Sequence, residues 1–98
     1  MVVIRVQVTV KPEEQTNFVA HLTQEAAEVQ TWPGCKQFQL YQDVTAEHRY
    51  LLYEEWESLE SFDHYRHSEQ FKTNGAKLFP MMADKPNSAY FTAEQLEG

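Results

Sequence analysis

With 98 residues, the chain has room for one domain with a thin core and too little for two. Fifteen acidic residues against eight basic ones give a formal charge of −7 with no run of Lys or Arg, which argues against a nucleic-acid partner. No apolar stretch approaches the roughly 20 residues of a membrane-spanning helix. The lone Cys35 allows no internal disulfide, and no basic, apolar leader opens the chain, so a soluble cytoplasmic protein is expected.

Met1 to Val10 alternates Ile4, Val6, Val8 and Val10 with Arg5, Gln7 and Thr9, the period-2 pattern of a strand. Pro12, Glu13 and Glu14 suit the first turn of a helix, where proline is preorganised and acids meet the positive end of the dipole. Phe18, Leu22, Ala26 and Val29 then fall on one helical face, with Glu25, Glu28 and Gln30 assigned to water. Trp32-Pro33-Gly34 ends that helix. Lys36 to Asp43 alternates again as a second strand, Val44 to His48 is a polar hairpin loop, and Arg49 to Glu57 is a third strand with apolar residues on both sides.

Ser58 is a good N-cap for a second helix that turns Leu59, Phe62, Tyr65 and Phe71 inward. Gly75 is expected to divide it from a further helical turn holding Leu78, Phe79, Met81 and Met82. Asp84 to Asn87 is a loop signal, and Ser88 to Thr92 is a short, aromatic fourth strand. No linker or repeat divides residues 1–98, so a single domain is expected.

The order βαββαβ predicts an α+β, ferredoxin-like domain, a four-stranded antiparallel sheet with its helices on one face. The other face has no helix, yet Val3, Tyr41, Leu51, Tyr53 and one of Tyr90 or Phe91 must lie on it. Exposing that much apolar surface is unusual for a monomer, and a second copy stacked sheet to sheet is the simplest cover.

Several features occur in a telling order: Pro33-Gly34 after the first helix, Glu54 and Trp56 on the third strand, then Phe62, Tyr65, Ser68 and Phe71. In this the chain resembles the antibiotic biosynthesis monooxygenase (ABM) family over nearly its whole length. The resemblance implies a dimeric α+β barrel and, as in characterised members, oxygen insertion into quinols or phenolic compounds with no metal or flavin cofactor. Many quinol-oxidising members carry histidine where this chain has Tyr65, so a histidine's role does not transfer unchanged. Heme-degrading relatives in the wider superfamily use a helix histidine that falls near Gly75, which argues against that activity here.

On this reading Tyr65 and His64 are the candidate catalytic groups, and Trp56, Phe62, Phe71 and His67 the candidate substrate contacts. An electron-rich phenol, once deprotonated, can itself reduce O₂, so the protein must supply a dry pocket, a base and a donor for the anion. Glu60, Asp63, His64 and His67 share a helical stripe without an evident third firm metal ligand, and a solvated face is the favoured reading; no metal is expected. Glu54 projects from an otherwise apolar face. It is either a proton acceptor raised by burial or, with more weight, a structural group that pairs with Arg5 or Arg49 or binds backbone at the dimer interface. The main alternative function is a non-catalytic dimeric module that binds a small ligand or a protein. An isomerase of a phosphorylated sugar would have only Arg66, Lys72 and Lys77 to hold the phosphate.

Overall fold

The computed structural model describes residues 1–98. Strands β1 (Val2–Thr9), β2 (Cys35–Gln42), β3 (Arg49–Trp56) and β4 (Asn87–Thr92) form one antiparallel sheet in the order β2-β3-β1-β4. Helices α1 (Gln15–Val29), α2 (Leu59–Arg66) and α3 (Glu69–Leu78) lie over one face of it, giving the expected ferredoxin-like architecture.

Alternation assigns the faces. Val2, Ile4, Val8, Phe38, Tyr50 and Trp56 are buried beneath the helices, where each large side chain contributes about 1.5–3 kcal/mol by leaving water. Between them in sequence, Val3, Leu51 and Tyr53 are only half-buried, and Tyr41 and Phe91 are exposed, so these residues make up the open face. Phe91, not Tyr90, belongs there: Tyr90 sits opposite Ile4 and packs edge-on against Phe62 with ring centres 5.3 Å apart.

Pro12 opens a 3₁₀ turn (Pro12–Glu14) that leads into α1. After α1, Gly34 takes φ +83°, and a Cβ there would run into the Ser61 side chain, so this turn requires glycine on both counts. The second helical segment breaks earlier than its sequence suggests. Ser58 Oγ caps α2 by accepting from Ser61 N (3.1 Å), and Ser68 Oγ caps α3 by accepting from Phe71 N (3.1 Å). Ser68 Oγ also donates to the Tyr65 carbonyl at 2.6 Å, which pins the junction. Gly75 therefore lies inside α3, and the turn that follows is a short 3₁₀ segment, Phe79–Met81.

Candidate functional site

A cavity of about 220 Å³ lies between the covered face of the sheet and the helices. Its floor comes from Ile4, Val6 and Val8 on β1 and Leu52 on β3; Phe18 and Leu22 of α1, Phe62 of α2 and Leu78 of α3 close it above. Phe71, Phe79 and Tyr90, all partly exposed, form a rim. No Lys, Arg or His lines this space. Four polar side chains do so from buried positions: Glu54, Glu25, Tyr65 and Asn74.

Glu54 is buried because β3 is a central strand. It is flanked across the sheet by Ile4 on β1 and Phe38 on β2, each 1% exposed. Its Oε1 accepts a hydrogen bond from Trp56 Nε1 at 2.9 Å. Neither arginine pairs with it: Arg5 lies over the Phe91 ring on the open face (5.7 Å), and Arg49 stands opposite Thr9 at the strand end. Burial raises the Glu54 carboxyl to about 7, against the partial opposition of the Trp56 bond. Glu54 is therefore a buried acid, and the ion pair with Arg5 or Arg49 does not form.

Glu25 is also buried, 5% exposed, and not turned to water as its charge suggested. Burial raises it to about 7, the nearby Glu54 adding to the rise and the Tyr65 hydrogen bond opposing it. Tyr65 Oη donates to Glu25 Oε2 at 3.5 Å, a long contact. Burial, then the charges of Glu25 and Glu54, push the Tyr65 phenol well above its ordinary value, so it stays a neutral donor. The Asn74 amide faces that phenol and works against the rise, but its buried Nδ2 reaches no partner in hydrogen-bond geometry.

The Tyr65 ring is fixed on four sides: Trp56 stacks on it (5.2 Å, 19°), and Trp32, Phe38 and Phe71 meet it edge-on. One hydroxyl and two carboxyls pushed upward by burial, facing an apolar space, make this a candidate acid–base site.

The model of the antibiotic biosynthesis monooxygenase family matches residues 1–75. The chain belongs to that family. A Caulobacter crescentus CB15 structure provisionally assigned to ABM is 28% identical, covering 96% of this chain and 90% of that one with a TM-score of 0.90. A Deinococcus radiodurans structure with the same provisional assignment superposes with a TM-score of 0.92 at 15% identity, covering 100% of this chain and 97% of its own. A conserved protein from Methanosarcina mazei Go1 gives a TM-score of 0.90 at 20% identity, covering 95% and 92%. At such identities the last two show the fold alone. No curated protein matches the chain.

Within this ABM fold, the residues singled out from sequence separate into three groups. Tyr65, Phe62 and Phe71 line the cavity. Trp56, 0% exposed, stands behind it, bracing Tyr65 and Glu54 without reaching the space itself. His64 and His67 are exposed on the outer side of α2, in a shallow groove with Glu60, Asp63 and Ser68. His64 packs its ring against Trp32 (5.5 Å), and His67 Nδ1 is 2.8 Å from the Asp63 carbonyl. Neither histidine is among the lining residues because α2 turns the Phe62 and Tyr65 side inward. No group of three or more His, Cys, Asp or Glu side chains is gathered to hold a metal.

Of the possible phosphate-holding cations, Arg66 is paired with Asp63 at 2.6 Å and stacked over Phe62 and Tyr90, and Lys72 pairs with Glu69 at 3.9 Å. Cys35 is held up at about 11 by burial and by Glu54, so its thiol is not a ready nucleophile.

Glu25 and Asn74 were missed, though the signal existed. Phe18, Leu22, Glu25 and Val29 follow steps of four, three and four, and Phe71, Asn74 and Leu78 follow three and four. A polar residue at an apolar position of such a stripe is either an error of assignment or a site.

Proposed function

We propose that this ABM protein oxidises a quinol or small phenolic compound with O₂, using the buried carboxyls of Glu54 and Glu25 as base and Tyr65 as hydrogen-bond donor. The observation that carries the reading is the pairing of two buried acids with a phenol on an apolar cavity that holds no countercharge. A base whose pKa lies near the working pH combines availability with driving force, and carboxyls raised to about 7 meet that condition better than solvated ones.

The chemistry balances without another reductant. A neutral phenol gives its O–H proton to a carboxylate, so the negative charge moves onto the substrate without changing in sum. The protonated carboxyl and the Tyr65 hydroxyl then donate to the phenolate oxygen. The phenolate passes one electron to O₂, and the radical pair joins at a free ortho or para carbon as a peroxide. The peroxide takes a proton back from the carboxyl. Loss of the ring C–H proton and cleavage of the O–O bond release water and leave a quinone: one phenol and one O₂ give one quinone and one H₂O. Phe62 and Phe71 flank the ring, and Trp56 holds Glu54 and Tyr65 in place. His64 and His67, outside the cavity, take no part in this scheme.

The reading includes a homodimer. The half-buried Val3, Leu51 and Tyr53 and the exposed Tyr41 and Phe91 form the open sheet face, and a second copy stacked on it covers them in both subunits. The free Cys35 and the absence of any helix long and apolar enough to cross a membrane are compatible with the cytoplasm as the working compartment.

The test is oxygen uptake with 1-naphthol and simple hydroquinones, with and without EDTA. Uptake above the protein-free rate that survives chelation and is lost in Tyr65→Phe and Glu54→Gln is expected. Ligand binding without any uptake would instead favour a non-catalytic binding module.

A further inference from the structure

The cavity shares a thin wall with a second depression. Outside it, between α1 and α3, lies a polar cleft of about 260 Å³ whose lining includes His21, Glu28, Gln70 and Lys77 and no hydrophobic residue. Only Glu25 and Asn74 line both spaces. The two carboxyl oxygens of Glu25 face opposite ways: Oε2 meets the Tyr65 hydroxyl at 3.5 Å on the inside, and Oε1 meets His21 Nε2 at 3.3 Å on the outside. Glu25 Oε1 and His21 Nε2 are both buried atoms without a hydrogen bond of good geometry, so the contact is close but not locked. A fixed ion pair would have recovered that lost stability; a small rotation of either side chain closes the gap.

We infer that Glu25 and His21 form a proton port through the wall between α1 and α3, connecting the cavity to solvent by a polar route separate from its apolar rim. The inference rests on the phenol-oxidising reading and adds a path for its protons. The phenol O–H gives H⁺ to the inner face of Glu25, Glu25 gives H⁺ from its outer oxygen to His21 Nε2, and His21 releases H⁺ to water. The reverse passage supplies the proton that the peroxide takes up. No electron moves along this path.

Export has a purpose, since a proton left on the carboxyl returns to the phenolate before scarce O₂ arrives. The charged and titratable groups around the port are Glu28 on α1, Glu54 on β3, Tyr65 on α2 and Lys77 on α3. Burial, then Lys77, lowers His21 below its ordinary value while Glu28 opposes, so His21 rests as a neutral acceptor at pH 7.

Chemical rescue tests the port. His21→Ala and His21→Gln are compared with the unsubstituted protein for 1-naphthol-dependent O₂ uptake in weak buffer at pH 7, then with added imidazole or with the bulky buffer MOPS. His21 is only partly buried on α1, and His21→Gln keeps a hydrogen-bonding side chain without a titrating one. Both variants are expected to lose about 100-fold in kcat with KM unchanged, a general acid–base effect at the low end of its usual range. Imidazole, small enough for the cleft, is expected to restore His21→Ala, and MOPS is not. Unchanged kcat in weak buffer, or a loss that imidazole does not restore, overturns the port while leaving the cavity's chemistry standing. No uptake by the unsubstituted protein with any phenol overturns the functional reading, and the port with it.

Discussion

Glu54 and Glu55 are neighbours on β3 and identical in chemistry, yet they face opposite sides of the sheet. Glu54 lies under the helices between Ile4 and Phe38, 4% exposed, and its carboxyl is raised to about 7. Glu55 lies on the open face, where its Oε2 accepts from Tyr53 Oη at 2.7 Å. The covered face has a cavity, two acids without a cation and a caged tyrosine; the open face has glutamines, Tyr41, Phe91 and Arg5. A period-2 strand has put a buried polar environment on one side and a half-exposed surface on the other, with one residue's offset between them.

The largest effect that separates the faces is mechanical. Trp56→Ala removes the ring that stacks on Tyr65 and packs at a tilt against Phe62 and leaves Glu54 Oε1 without its donor, and should cost about 3–5 kcal/mol in urea denaturation. An equal truncation on the open face, Tyr41→Ala at a site 47% exposed, should stay within about 0.5 kcal/mol of the parent when the chain is held monomeric by dilution. Similar costs at the two sites would erase the distinction.

The next effect is electrostatic. Glu54 titrates near 4.5 when unfolded and at about 7 when folded, so the native state keeps its proton longer. Its stabilising contribution is therefore complete below about pH 4.5, declines as pH rises, and is gone above about pH 7. The shift corresponds to about 3 kcal/mol. Unfolding free energy measured at pH 5, 6, 7 and 8 should fall through this window in the parent and fall distinctly less in Glu54→Gln.

A smaller effect belongs to the open face. Replacing Leu51 and Phe91 together by Lys should shift sedimentation from dimer to monomer while leaving far-ultraviolet circular dichroism unchanged. A parent that sediments as a monomer at micromolar concentration contradicts the proposed cover. Smallest is Ser68→Ala, which removes the α3 cap and should cost about 1 kcal/mol without altering sedimentation from that of the parent.

Much of this architecture is readable from pattern. All four strands, the Pro33-Gly34 turn and the inward set of Phe18, Leu22, Phe38, Phe62 and Tyr65 follow from periodicity and from glycine's access to positive φ. The site is read less well, for a physical reason: strand alternation marks Glu54 as an acid on an apolar face, but on a helix hydropathy assigns a charged side chain to water. Glu25 was therefore placed outside, although its position on the Phe18–Val29 stripe is apolar. His64 and His67 drew attention as versatile groups, but only the rotation of α2 about Phe62 and Tyr65 decides which way they face. The break at Ser68 was hidden behind Gly75, because a serine cap with a fixed hydrogen bond to Tyr65 outweighs a glycine that a helix can tolerate.

The claim on which the rest depends is that the covered-face acids act as a base toward a bound phenol. Oxygen uptake with 1-naphthol, corrected for the protein-free rate and followed from pH 5 to pH 9, measures it most directly. The rate should rise with an inflection near pH 7 as the carboxyls ionise, and Glu54→Gln should lower it by at least about 100-fold. A rate that is flat across this range in the parent, or that is the same in Glu54→Gln, would contradict the account.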